Sequence, residues 1–149
     1  MQRSREAWVI DASVSTKWYL KDELLVAEAD QLRQHLRTGE TRAAAPHIAR
    51  HEIADAICTA AWVGRTPADT AIDDINSYLV SGISLDDDPD WLIEAAAALS
   101  LEYRIRVYDA TYLALAMALG VGFVTADRKL FNAISGRLPF VRWLGDLRL

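Results

Sequence analysis

The sequence predicts an α/β fold with a mainly parallel central sheet, on three observations. Short runs such as Trp8–Ile10 and Val121–Thr125 are rich in β-branched and aromatic residues, and the first is apolar throughout, as strands buried on both faces are. The stretches between such runs carry apolar residues at helical spacing. The two kinds of segment alternate along the chain, the arrangement that builds a parallel sheet covered by helices. A length of 149 residues fits one domain over 1–149, and 52% hydrophobic with 25% charged residues is the composition of a soluble globular protein.

The first strand, Trp8-Val9-Ile10, ends at Asp11, and Ala12-Ser13-Val14 lead into a helix carrying Trp18, Tyr19 and Leu20. From Glu23 to about Thr38 the residues Leu24, Leu25, Ala27, Ala29, Leu32 and Leu36 recur at helical intervals, and Gly39 stops that helix. Arg42–Ala45 reads as a short strand ended by Pro46, which suits the first turn of a helix over His47–Val63, stopped by Gly64. Thr66-Pro67 starts a helix through Tyr78, with Ala68, Ala71, Ile72, Ile75 and Leu79 expected inward. Gly82–Leu85 reads as a further short strand. The acidic loop Asp86–Asp90 lacks the glycine and distal glutamate of a calcium loop, so Asp88 is expected as N-cap, with Pro89 at N1, of an alanine-rich helix 89–103. Residues 109–119 are helical by spacing, Val121–Thr125 is a strand, a helix starts near Arg128 and ends at Gly136, and Phe140–Leu144 reads as an edge strand.

Several function classes are narrowed by composition. The 17 uncharged residues between Asp109 and Asp127 fall short of the roughly 20 that a membrane span needs and break at Gly120-Val-Gly122, so no membrane is expected. MQRSREAW has no apolar core of a secretory signal, which places the chain in the cytoplasm. The single cysteine, Cys58, reads as a small core residue without a disulfide partner, and the three histidines make no zinc pattern with it. The net charge of -5 is unevenly spread: residues 66–103 hold nine acids and no base, whereas 104–149 hold seven bases and three acids. That basic end permits an RNA partner, with Arg128 and Lys129 as candidate contacts or as plain solvated surface.

Four acids stand where chemistry is expected. Asp11 and Asp127 end strands, Asp109 starts a helix that runs antiparallel into the strand before Asp127, and Glu52 lies one to two turns into an apolar helix. Individually, Asp109 and Asp127 also read as helix caps and Glu52 as an ion pair with an arginine such as Arg50. Together they fall on the carboxyl edge of a parallel sheet, where such sheets bind ligands. Carboxylates that converge there repel one another unless a hard divalent cation neutralises them, and magnesium, which keeps waters and takes phosphate oxygens, fits better than calcium. The chemistry that follows is phosphodiester hydrolysis by a metal-activated water, leaving a 5'-phosphate and a 3'-hydroxyl.

The segments Val9-Ile10-Asp11-Ala12-Ser13-Val14, His51-Glu52-Ile53-Ala54, Tyr108-Asp109-Ala110, Leu113-Ala114-Leu115-Ala116 and Thr125-Ala126-Asp127, in this order and spacing, resemble the PIN-domain ribonucleases, and within them the VapC toxins of toxin–antitoxin pairs. The resemblance implies a PIN-like three-layer α/β/α fold. It also implies an endoribonuclease using Mg2+, or Mn2+ as substitute, with Asp11, Glu52, Asp109 and Asp127 as catalytic quartet. Asp11 and Asp109 would be the most direct metal ligands, with Glu52 and Asp127 also possible, and Ser13 and Thr125 would orient the carboxylates. A homodimer, a cognate antitoxin and a structured RNA target are implied as well. Asp55 departs from the asparagine common at that position. Two other readings remain: a non-catalytic PIN scaffold acting as an interaction module, and a haloacid-dehalogenase-type phosphotransferase, which needs a second aspartate where this chain has Ser13.

Overall fold

The computed structural model describes residues 6–149, so the N-terminal reading of MQRSREAW lies mostly outside the described residues. Four strands, β1 (Glu6–Ile10), β2 (Thr41–Ala44), β3 (Gly122–Thr125) and β4 (Val141–Trp143), form one sheet in the order β2-β1-β3-β4. All three pairings are parallel, with Val9 beside both Ala44 and Phe123, and Val124 beside Arg142. Seven helices connect them: α1 (Ala12–Ser15), α2 (Val26–Arg37), α3 (Ala49–Trp62), α4 (Ala68–Val80), α5 (Asp90–Tyr103), α6 (Val107–Leu119) and α7 (Arg128–Ile134), with 3-10 turns at Thr16–Trp18 and Leu144–Asp146. The α/β class and the parallel sheet are as expected from the sequence.

Connection geometry determines the layers. The step from β1 to β2 runs one way across the sheet, and the steps from β2 to β3 and β3 to β4 run the other way. Right-handed crossovers then place α1 and α2 on one face and the later helices on the opposite one. Tyr112 of α6 packs on Phe123, and Phe131 of α7 on Trp143, with ring centroids 5.8 Å apart in each pair. Phe123 and Trp143 lie on one side of the sheet, two residues apart in register. The core is one cluster in which Val9, Ile10, Ile57, Leu92, Leu113, Phe123, Val124 and Leu144 are fully buried. Close approach is required at Gly122, where the Trp8 ring lies over the strand and any Cβ would strike it.

Three local expectations are corrected. The segment 82–85 forms no strand of the sheet; only Ser84 bridges Ala45, because Ala45 follows the last paired residue of β2 and offers a single partner. In α4 Ala71 is buried and Ile75 partly buried, as expected, but the large inward residue is Tyr78, whose hydroxyl meets Ser84 Oγ at 2.7 Å, whereas Ala68, Ile72 and Leu79 are exposed. Asp88 does not cap α5, which begins after Pro89. Its carboxylate instead accepts the backbone N–H groups of His47 (2.7 Å) and Ile48 (3.0 Å), closing the start of α3 from across the chain. No helix is long and apolar enough to cross a membrane among the described residues.

Candidate functional site

Neighbouring connections leave the sheet in opposite directions between β1 and β3, and the carboxyl ends of these strands flank the crevice where open α/β sheets take ligands. Asp11 follows β1 directly, and its backbone N–H donates to Val124 O of β3 at 3.0 Å, so the strand pairing itself fixes this residue. Its side chain is buried. Ser13 Oγ and Thr125 Oγ1 each donate to Asp11 Oδ2 at 2.7 Å. Both hydroxyls are held in turn: the Ala126 N–H donates to Ser13 Oγ (2.9 Å) and the Asp127 N–H to Thr125 Oγ1 (3.0 Å). One carboxylate oxygen is thus pinned by two oriented hydroxyls, and Oδ1 has no side-chain donor.

The other acids arrive from different elements. Asp127 is the N-cap of α7, its Oδ1 accepting the Leu130 N–H at 3.0 Å, so the capping role weighed for it is real. Asp109 sits in the first turn of α6, whose N-cap is Arg106, and makes no side-chain capping bond. Glu52 forms no ion pair with Arg50 or any other cation among the described residues. Instead the hydroxyl of fully buried Tyr112, from α6, donates to Glu52 Oε1 at 2.8 Å. Tyr112 is a site residue that sequence reasoning missed; its place one turn after Asp109 on the same helix was the available signal.

Electrostatics tie the four together. Burial raises the pKa of Asp11, against the hydroxyl bonds that lower it, and the Asp127 charge raises it further. Glu52 is pushed up to about 7, first by burial and then by the charges of Asp11 and Asp109, with the Tyr112 bond acting the other way. Asp109 is raised to about 6 by burial, then by Asp11 and Asp127. Asp11, Glu52 and Asp109 therefore each feel the charge of another of these acids, as carboxylates sharing a crevice do. Among the described residues no three His, Cys, Asp or Glu side chains stand close enough to hold a metal ion by themselves. That donor set still suits magnesium, which binds through one or two carboxylates and completes its shell with water and phosphate oxygens. Asp11 Oδ1, which no side chain engages, is the kind of hard oxygen it takes.

The remaining sequence candidates are peripheral. Arg128 and Lys129 are exposed directly after Asp127, and the Arg128 guanidinium lies 3.7 Å from the centroid of the Trp143 ring. Asp55 is exposed, and Cys58 is partly buried and free.

No protein-family model matches the chain, and no curated protein matches it. Solved structures do. PAE2754 from Pyrobaculum aerophilum superposes with a TM-score of 0.68 at 23% identity, over 94% of this chain and 92% of that one. VapBC2 from Rickettsia felis, bound to a DNA fragment from their promoter, gives 0.63 at 13% identity, over 92% and 96%. At these identities the likeness is one of fold, and with the four-stranded parallel sheet between helices it makes the architecture of this chain PIN-like.

Proposed function

We infer that the protein is a Mg2+-dependent endoribonuclease of the VapC type, the toxin of a pair neutralised by a cognate antitoxin. The observation that carries this reading is that Asp11, Glu52 and Asp109 are each raised by the charge of another acid of the set, Asp127 acting on Asp11 and Asp109, although the four come from different elements of the chain. The fold likeness to VapBC2 supports the toxin–antitoxin part, including an antitoxin partner; a homodimer is proposed with it.

In this reading Asp11 and Asp109 hold the cation, with Glu52 and Asp127 as further ligands. The bound cation would supply a water acidic enough to act as a nucleophile at neutral pH and would neutralise charge on the phosphate. The chain's own groups do the positioning. Ser13 and Thr125 fix Asp11 Oδ2 and so aim Oδ1, while Tyr112 fixes Glu52. Glu52, held by Tyr112 beside the charges of Asp11 and Asp109, would take a proton from an attacking water. Arg128 and Lys129 are the proposed contacts to phosphates next to the cleaved bond.

Incubation with cellular RNA tests this. Cleavage should need Mg2+ or Mn2+, stop in chelator, and disappear in Asp11→Asn. Full cleavage in chelator, or an active Asp11→Asn protein, would overturn it. A folded protein that binds RNA but never cleaves it would instead favour the non-catalytic scaffold.

A further inference from the structure

A second polar groove lies away from the acidic edge. It runs along the outer side of β2, between α2 and the end of α4, with a volume of about 620 Å³. Three arginines line it: Arg33 and Arg37 of α2 and Arg42 of β2. No carboxylate lines it, and none of the three forms an ion pair among the described residues, although Asp74 feels the charge of Arg33. In a chain with a net charge of -5 this is a local inversion of sign.

Arg33 is held ready. Its guanidinium carbon lies 5.4 Å from the Trp18 ring centroid and 5.0 Å from that of Tyr19, which fixes the plane of the fork. Only long bonds, 3.5 Å to Trp18 O and 3.4 Å to Tyr19 Oη, use its donors, so most of its five N–H groups remain for a ligand. Arg37 and Arg42 are exposed, and Ser77 adds a hydroxyl. Three planar forks along one groove with no acid among them match the successive phosphates of a nucleic-acid strand better than they match a lone inorganic ion. Thr41 pairs with Glu6, five residues before Asp11, which sets the groove roughly 16 Å back along the sheet from the acidic edge.

We propose that the groove lined by Arg33, Arg37 and Arg42 is a phosphate-binding exosite that grips a single-stranded part of an RNA ligand away from the four acids. The identity of the ligand rests on the ribonuclease reading; the anion site itself does not. The exosite adds affinity and substrate choice, leaving the chemistry at the acidic edge unchanged.

Binding of a labelled single-stranded oligoribonucleotide, followed by anisotropy in chelator over a range of salt, tests it. The double variant Arg37→Ala/Arg42→Ala removes two exposed side chains and should fold normally, as a melting curve checks. Its salt slope should fall by about 1.4, so that its loss of affinity between about 50 and 200 mM salt is roughly 7-fold smaller than in the parent protein. The lysine pair Arg37→Lys/Arg42→Lys should restore the slope. Mg2+-dependent cleavage of a dinucleotide, too short to reach the groove, should be unchanged. An unaltered slope and affinity in the alanine pair would overturn the exosite. So would an acidic peptide of matched charge that binds as tightly through the same arginines, since the groove would then serve a protein. Saturation by inorganic phosphate without loss of RNA binding would overturn it too. Because binding is read in chelator, a protein that never cleaves RNA still reports on the groove, and one that cleaves normally without these arginines leaves the nuclease reading intact.

Discussion

Two carboxylates at this site are held by hydroxyl donors, with different consequences. Asp11 is served by Ser13 and Thr125, whose own acceptor positions are occupied by backbone N–H groups, so the donors cannot turn away. Glu52 depends on Tyr112 alone. The phenol is buried, and burial raises its pKa well above the usual range, so it stays a donor at every working pH. Because this bond lowers the pKa of Glu52 against a larger desolvation effect, Tyr112→Phe should raise it above the present value of about 7. In the metal-free protein Glu52 should then titrate at higher pH, and stability should fall by about 0.5–1.5 kcal/mol for one lost hydrogen bond. Carboxyl NMR titration of Glu52 in both proteins measures the shift directly. An equal or lower pKa in the Phe variant would mean that the tyrosine does not act on this carboxylate.

Among the elements, α3 is the one placed from a distance. Nothing at its own start caps it with a side chain; the carboxylate of Asp88, some forty residues later, takes the N–H groups of His47 and Ile48 in the turn that leads into it. Removing that acceptor should cost about 1–2 kcal/mol, the upper part of the capping range, because two donors lose their partner. It should also slow cleavage by letting the turn that carries Glu52 move. Urea unfolding of Asp88→Ala, with Asp88→Asn retaining one acceptor and an intermediate stability, checks this; an Ala variant as stable as the parent would show the loop to be passive. For α2 to α7 the sequence made the helix boundaries legible to within two or three residues, since 3.6-residue periodicity and the Gly64 and Gly120 stops are local signals, whereas the first helix, expected to carry Trp18, Tyr19 and Leu20, ends at Ser15 and tightens into a 3-10 turn. Asp88 was misassigned for the converse reason. Asp-Pro before an alanine-rich run has the pattern of a local cap, and no spacing rule reveals an acceptor used by an earlier helix. Tyr78 shows a subtler limit: α4 turned its polar-tipped aromatic inward because Ser84 supplies a partner for the hydroxyl, and that partner lies outside the helix.

Across the whole molecule, the sheet order was not legible, but the edge was: parallel strands joined by right-handed crossovers put every carboxyl end on one side whatever the order. That convergence stores repulsion. Glu52 at about 7 and Asp109 at about 6 both stand above ordinary carboxylates, so the folded protein binds their protons more tightly than the unfolded chain does. The stability this contributes is fully present below about pH 4 and is lost as pH rises through about 6 and then 7. Other pairs follow different rules; Asp22, lowered by its bond to Arg65, favours the opposite trend, so the site is isolated best as a difference between two proteins. Asp11→Asn keeps an acceptor for Ser13 and Thr125 but removes the charge that raises both neighbours. In chelator the variant should therefore become more stable than the parent as pH rises from about 5 to 8, reaching roughly 0.5–2 kcal/mol, a fraction of the Coulomb energy of two close charges. In millimolar Mg2+ the order should reverse, because a ligand of the native state stabilises only the protein that keeps its site, by about 2.7 kcal/mol at a hundredfold excess over Kd. Melting curves of both proteins across pH, with and without Mg2+, decide it: a variant less stable in chelator at every pH, with neither curve moved by Mg2+, would make these four acids structural and remove the physical basis of the metal site.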